Sequence, residues 1–498
     1  MMEKLRIILI DPSEQWVTNN PNLKYFEQVM IPIGLMYLSA FLKERFSTRI
    51  ETKIVNTIVD LNELEQIEDI LEEFVPDIIG IRAVIFYNDV VNTLSRICKR
   101  KFPDALLIAG GPDITPESQA ICNNTNIDLF IEGEGEETLC EIIEYYFKSG
   151  KSGLINSTRF IKGIFYRVDG KIIKNESREL IQDINQLPIP DYDAINLEHY
   201  TKFLNYGYNR RKMGVLFTSR GCPYKCIYCH NIFGKVFRYR NAQSIYDEIA
   251  YLHNKYGIKD FCIVDDNFTF NYERVEEFTK KIIDSKLEIK LYFPNGLRAD
   301  SLTYELVDKL IKAGMIWATF SLETASERLQ RFIKKNVDIT KLEYIVKYCC
   351  EKGIITNLCV MIGFPTESLK EAEDSLNYLF GFNKLIMPYY FSIKYYPGTE
   401  IYDMSEQYGI TLNVNAHLHS YHGSAFQETP QISRSDFDRL YRKYMRDIFL
   451  NSEKLKSSID ILSRHFSEEE IKDIYTLLFR RKIVNIEKDI INLGLDQD

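Results

Sequence analysis

The chain has 498 residues, too many for one small module and enough for roughly three folded units at a loose average of about 150 residues each. Apolar residues make up 45% and charged residues 27%, which excludes a chain that is disordered throughout. With 71 Asp and Glu against 62 Lys and Arg the net charge is −9, so no global basic field exists for nucleic acid or an anionic membrane, only the chance of a local patch. No apolar run approaches the ~18 residues that span a bilayer, and Met1 to Arg6 has no secretory pattern, so a cytoplasmic protein is expected. Ten cysteines are too sparse for a disulfide scaffold, and the three that cluster point to metal.

Residues 5–10 form an apolar run ending in Asp11-Pro12, and 33–46 has helical spacing. The pattern recurs as strands at 53–59, 77–85, 105–109 and 129–131 and helices at 64–74, 90–102, 118–123 and 137–147. Such alternation predicts a parallel sheet covered on both faces over residues 1–150. Gly110-Gly111-Pro112 and Gly133-Glu134-Gly135-Glu136 follow two of these strands, where an open parallel sheet binds ligands and glycine lets backbone come close. Residues 151–204 lose the alternation: Asp169-Gly170 between two patterned runs predicts a hairpin, and Leu187-Pro188-Ile189-Pro190 an extended linker.

A second series occupies 205–424. Strands are expected at 216–218, 260–264, 290–294, 317–322, 356–362 and 390–395, with helices at 244–256, 272–285, 301–313, 339–352 and 369–382 between them. Six strands with intervening helices suit a partial or full (β/α) barrel whose chemistry sits at the strand carboxyl ends. Residues 425–498 read as a small helical region with amphipathic stretches at 437–449 and 468–479.

The first strand of the second series runs into Gly221-Cys222-Pro223-Tyr224-Lys225-Cys226-Ile227-Tyr228-Cys229. Three thiolates spaced CxxxCxxC in one loop can wrap one inorganic cluster and leave a fourth iron open to a substrate. A zinc site would need a fourth ligand, and His230, adjacent to Cys229, is poorly placed to complete a tetrahedron.

This motif resembles that of the radical S-adenosylmethionine (SAM) superfamily. The resemblance implies a [4Fe-4S] cluster on Cys222, Cys226 and Cys229, with the open iron chelating SAM and reduction releasing a 5′-deoxyadenosyl radical. It places Tyr228 against adenine, and it implies SAM contacts from Asp266, in the acidic loop after the second strand, and from Ser321 and Glu323 at the fourth strand end. Arg298, after the third strand, would pair with the SAM carboxylate. The fifth strand end reads Gly363-Phe364-Pro365-Thr366-Glu367, and 394–399 closes the region in the same style.

The N-terminal domain is similar to the cobalamin-binding, Rossmann-like domain that precedes the barrel in one large subfamily. The similarity rests on Pro32-Ile33-Gly34-Leu35-x-Tyr37-Leu38, 77–81, Gly110-Gly111-Pro112 and Gly133-Glu134-Gly135-Glu136. It implies cobalamin contacts from Gly34, Leu35, Gly110, Gly111, Pro112, Gly133, Glu134 and Gly135, with Tyr87 a candidate to face the corrin or a plain core aromatic. Residues 1–198 contain no histidine, so the cobalt ligand of the Asp-x-His-x-x-Gly proteins is missing and a degenerate, cobalamin-free domain stays open. His417, His419 and His422 cluster after the barrel, and His422 is the candidate substrate contact.

The expectation is a cobalamin-dependent radical SAM enzyme that methylates an unactivated carbon of a small molecule or peptide, reduced by a flavodoxin or ferredoxin. In it the substrate would be enclosed in a dry gap between two strand-end faces. Oxidative cyclisation or rearrangement with the same cofactors is the alternative, and a non-catalytic module with a structural cluster is a second class.

Overall fold

The structure is a computed structural model, and it describes residues 4–12, 28–84, 88–112, 114, 124, 126–230, 232–412, 426–449, 451–479 and 482–489. Tyr87 and His422, with Phe86, His417, His419 and the helix expected at 118–123, lie outside the described residues. The chain divides into two compact units, one reaching to Lys202 and one from Phe203 onward, with Gln28 in the second.

The first unit is built on seven strands: β1 (Leu5–Asp11), β2 (Ile50–Asn56), β3 (Ile78–Arg82), β4 (Leu106–Gly110), β5 (Leu129–Ile131), β6 (Ile164–Val168) and β7 (Lys171–Lys174). Their order is β2-β1-β3-β4-β5-β6-β7. The first five are parallel, and β1 pairs with both β2 and β3, so the chain reverses its winding there. Residues such as Ile8, Ile10, Ile79, Ile81 and Leu107 are fully buried beneath helices Ile67–Phe74 and Asn88–Lys101, which is why these strands read as continuous apolar runs. Strand β2 starts at Ile50 rather than at 53 because pairing with β1 aligns Ile50 with Leu5. The hairpin set apart by the sequence pattern is continuous with this sheet: β6 pairs antiparallel with β5, and Phe165 stacks on Phe130 at 5.0 Å. Asp169 (φ +47°) and Gly170 (φ +78°) turn it, both left-handed as a two-residue hairpin loop requires.

The second unit begins with β8 (Met213–Leu216), a short ribbon of β9 (Ser219–Arg220) and β10 (Arg238–Tyr239), then β11 (Asp260–Ile263), β12 (Lys290–Leu297), β13 (Met315–Glu323), β14 (Ile355–Ile362) and β15 (Met387–Ser392). Six of them form one all-parallel sheet in the order β15-β14-β13-β12-β11-β8, an open partial barrel. The last strand lies three residues earlier than its apolar pattern suggests, because its register aligns Met387 with Asn357. Trp317, Tyr292 and Tyr208 fill the lower barrel, with Tyr208 stacked on Trp317 at 5.3 Å. Helix Glu468–Phe479 is tied to the strand beginnings through Arg211, which pairs with both Asp260 and Glu470. No described helix is long and apolar enough to cross a membrane.

Candidate functional site

The cysteine loop follows β9 and turns at Gly221, whose φ of +82° and whose missing Cβ, which would lie 2.4 Å from the Val236 carbonyl oxygen, admit only glycine. The loop is hung by its apolar residue. Ile227 is buried among Leu329, Ile333, Phe364 and Ile401, donates its N–H to the Ile333 carbonyl at 3.1 Å and accepts from Ile401 N at 3.0 Å. Tyr228 meets the edge of Phe364 at 6.0 Å. With these two side chains turned inward, Cys222 and Cys226 stay half-buried and Cys229 exposed, all three unbridged. Burial raises the Cys222 thiol and pushes Cys229 up to about 11; each also feels the other loop thiolates and Asp266, while Lys235 acts the other way. A cation bound at Cys222 and Cys229 would favour their ionised forms against this desolvation. Among the described residues no three His, Cys, Asp or Glu side chains converge as ligands of a single metal ion, these thiols included. A multi-iron cluster, whose corners spread its ligands, is the group that three soft donors from one loop fit.

The acidic loop after β11 separates two adjacent carboxylates. Asp265 is buried and accepts hydrogen bonds from Thr218 N and Ser219 Oγ, each at 2.6 Å, and from Thr218 Oγ1. Buried Arg274 stands 3.8 Å from it and donates to the carbonyls of Thr218 and Phe268. Asp265 therefore ties the end of β8, and the cysteine loop after it, to β11. Asp266 is exposed; burial of its carboxyl group and the neighbouring Asp265 charge raise its pKa, and the Gly221 N–H it accepts lowers it. Asn267 Oδ1 beside it is buried with no hydrogen-bond partner among the described residues.

At the end of β13, Glu323 adopts a left-handed φ of +71° just past a register shift, a conformation that costs a non-glycine residue energy and marks sites where geometry matters. Its carboxylate accepts from Lys335 Nζ at 2.7 Å. Ser321 is half-buried, and its Oγ occupies the space a Cβ on Gly296 would need, 2.4 Å from that position. Arg298 is placed differently from the expectation. Its guanidinium donates to the carbonyls of Lys335 (3.0 Å) and Asn336 (2.9 Å), pairs with Asp300 and lies 4.0 Å over the Tyr224 ring. All three of its guanidinium nitrogens are engaged by protein, so it braces the 334–336 loop against the cysteine loop. Lys334 (φ +55°) and Asn336 (φ +51°) are both left-handed, and between them Lys335 is presented to Glu323. The sequence reading missed Lys335, for which a Lys-Lys-Asn turn after a short helix was the signal.

Gly363 and Phe364, after β14, donate their N–H groups to buried Glu367 Oε2 at 2.6 and 3.2 Å. Burial pushes the Glu367 carboxyl up to about 8, and its Oε1 has no hydrogen-bond partner among the described residues.

In the first unit, Gly34 and Leu35 open helix Ile33–Phe46 after β1, Gly110-Gly111-Pro112 follow β4, and Gly133-Glu134-Gly135 follow β5, all at strand carboxyl ends. Gly111 (φ +142°) packs so closely that a Cβ would lie 2.3 Å from the Ala83 carbonyl oxygen. A Cβ on Gly34 or Gly133 would meet nothing within 4 Å. Glu134 is engaged by protein: its Oε2 accepts Ile181 N at 2.8 Å. The sequence missed a buried network at the reversal of winding, where Asp11 accepts from Arg82 Nε and from Asn56 Nδ2 at 2.8 Å. Burial raises the Asp11 carboxyl against the opposing pull of Arg82. Nearby, the Tyr200 hydroxyl and Asn88 Oδ1 are buried without partners among the described residues. One unpaired donor and one unpaired acceptor are complementary in chemistry to a ligand fringed with amides, as a corrinoid is. His199, the first histidine, faces Asp60 with its Nδ1 at 3.7 Å.

Comparison with known proteins matches residues 216–379 to the radical SAM superfamily and residues 21–143 to the B12 binding domain. An uncharacterized methyltransferase of Pyrococcus horikoshii is 28% identical over 389 residues, covering 77% of this chain and 80% of that protein. The cytidylyl-2-hydroxyethylphosphonate methyltransferase of Streptomyces wedmorensis is 25% identical, covering 75% and 76%. Among solved structures, the radical S-adenosylmethionine methyltransferase TsrM from Kitasatospora setae, with cobalamin and a [4Fe-4S] cluster bound, shares the fold with a TM-score of 0.65 at 16% identity, covering 81% of this chain and 78% of that one.

Proposed function

The chain belongs to the cobalamin-dependent radical SAM enzymes, and from that premise we propose that it transfers a methyl group to an unactivated carbon of a small molecule or peptide. The observation that carries the radical half is the loop that buries Ile227 and leaves Cys222, Cys226 and Cys229 unbridged. The methyl half draws support from the relatives named methyltransferases and from the glycine-rimmed face of the first unit. When bound, the cluster and SAM supply homolytic cleavage, and cobalamin supplies a transferable methyl group.

Cys222, Cys226 and Cys229 would hold the iron. Exposed Asp266 offers a carboxylate to the SAM ammonium, and the Glu323–Lys335 pair offers one charge of each sign to a zwitterion. Lys335 takes the carboxylate-binding role expected of Arg298, whose donors are engaged elsewhere. Tyr228 and Phe364 supply an aromatic corner for adenine. Gly34, Leu35, Gly110, Gly111, Pro112, Gly133 and Gly135 line the cobalamin face, and Glu134 contributes by fixing residue 181 behind it.

Anaerobic turnover with reductant tests the reading. Equal amounts of 5′-deoxyadenosine and S-adenosylhomocysteine, with a product heavier by one methylene, are expected. Formation of 5′-deoxyadenosine alone would remove methyl transfer and favour cyclisation or rearrangement.

A further inference from the structure

A line of aromatic rings leads from solvent into the cysteine loop. Val236, Tyr239 and Phe270 are 61%, 43% and 44% exposed. Tyr239 stacks on Phe237 with centroids 5.5 Å apart, Phe237 meets Phe270 at 5.0 Å, and Phe270 meets Tyr224 at 6.0 Å. Tyr224 stands between Cys222 and Cys226 in the chain. The rings are held in place by cations: buried Arg274 lies 5.7 and 5.8 Å from the Phe237 and Tyr239 centroids, and Arg298 covers Tyr224. Single exposed apolar residues are unremarkable, whereas a fixed aromatic group around one loop is the composition of an interface. Rigid rings also lose little freedom on docking.

The charge of this segment is opposite to that of the chain. Residues 220–240 hold five basic side chains, Arg220, Lys225, Lys235, Arg238 and Arg240, and no Asp or Glu, in a protein of net charge −9. The three arginines are buried, Lys235 is half-buried and Lys225 is exposed, so the lysines are what a partner meets.

We propose that Val236, Tyr239 and Phe270, with Lys225 beside Tyr224, form the docking surface of an acidic one-electron carrier protein that reduces the cluster. The assignment rests on the radical SAM reading of the three cysteines. One electron leaves the carrier's reduced centre, which is thereby oxidised, and enters the cluster, which is reduced; no bond forms or breaks. A site for SAM and substrate at the strand ends needs shelter from water, so an electron entering through the flank of the loop leaves that shelter closed. Apolar area holds the carrier while the lysines steer it, and steering weakens as salt rises.

The test uses the full chain with its cluster rebuilt under anaerobic conditions and follows cluster bleaching. Reduction by a photoreduced flavodoxin is compared with reduction by dithionite, which needs no docking. Val236→Glu, Phe270→Ser and Lys225→Glu are each expected to slow the flavodoxin reaction about tenfold at low salt while the dithionite reaction is unchanged, and the Lys225→Glu defect should shrink as salt rises. Flavodoxin rates that match the unmodified protein in all three variants would overturn the proposal, as would equal slowing with both reductants. An unmodified protein lacking iron–sulfur absorption would overturn the reading of the cysteines as well, and that result appears before any carrier is added.

Discussion

Both units present the carboxyl ends of a parallel sheet, yet they furnish that face in opposite ways. The second unit sets out chemistry in side chains: three thiols, an exposed Asp266, and Lys335 against Glu323. The first unit offers bare backbone at Gly34 and Gly133, and its charged groups Asp11, Arg82 and Glu134 are engaged with protein. The difference follows from what each would hold. A cluster and a zwitterion need specific donors and charges, whereas a large, mostly neutral ring system needs room, close backbone approach and a few unpaired polar atoms.

The comparison can be broken most sharply at the thiols. Cys226→Ala is expected to abolish iron–sulfur absorption and reductive SAM cleavage while corrinoid uptake by the first unit persists, as read from optical spectra of anaerobic protein. Gly111→Ala should do the reverse: the added Cβ meets the Ala83 carbonyl, costing about 1–3 kcal/mol and displacing the β4 loop. Corrinoid retention then falls while iron content holds, and loss of both together would mean the two faces do not function separately.

Within the second unit, Lys335→Ala is expected to weaken SAM binding about tenfold or more, since it removes one charge-assisted contact, and to cost some stability by leaving the buried Glu323 carboxylate unpaired. Arg298→Ala should instead lower stability in urea by about 1–3 kcal/mol, because two carbonyls and Asp300 lose their partner. Calorimetric SAM titration of both variants separates a ligand contact from a brace, and an affinity loss confined to Arg298→Ala would reverse the assignment.

The smallest effect concerns Glu367. Its folded carboxyl titrates at about 8, well above the ordinary carboxylate range. Between those values the native state keeps a proton that the unfolded chain has released, so stability falls as pH rises. Glu367→Gln is expected to flatten that decline between pH 6 and 8 in urea unfolding, and an unchanged slope would remove Glu367 as its source.

The alternation of apolar runs with helical spacing revealed both parallel sheets, because strands buried on two faces leave little else to read. Asp169-Gly170 revealed its hairpin for an equally local reason, both residues needing φ above zero. That the hairpin extends the first sheet depends on pairing with β5, which no local pattern carries. The cysteine spacing was legible because all three thiols fall within one short stretch, Cys222 to Cys229. The preference for Asp266 over Asp265 came from the resemblance and not from any local pattern: which of two neighbours is buried depends on Thr218, 47 residues earlier. The protein partners of Arg298 and Glu134 were illegible for the same cause, lying 37 and 47 residues away in loops of no distinctive composition.

The double suspension of Ile227 has a consequence for the history of each molecule. The segment bearing the thiols is tied at Ile227 to Ile333 and Ile401 by backbone hydrogen bonds that involve no thiol. Unlike a zinc finger, which collapses when its ion is stripped, this socket is expected to keep its form when its iron is removed, as circular dichroism before and after chelation would read. A copy damaged by oxygen can then be recharged in place, and the lifetime of the polypeptide is uncoupled from that of its most fragile part.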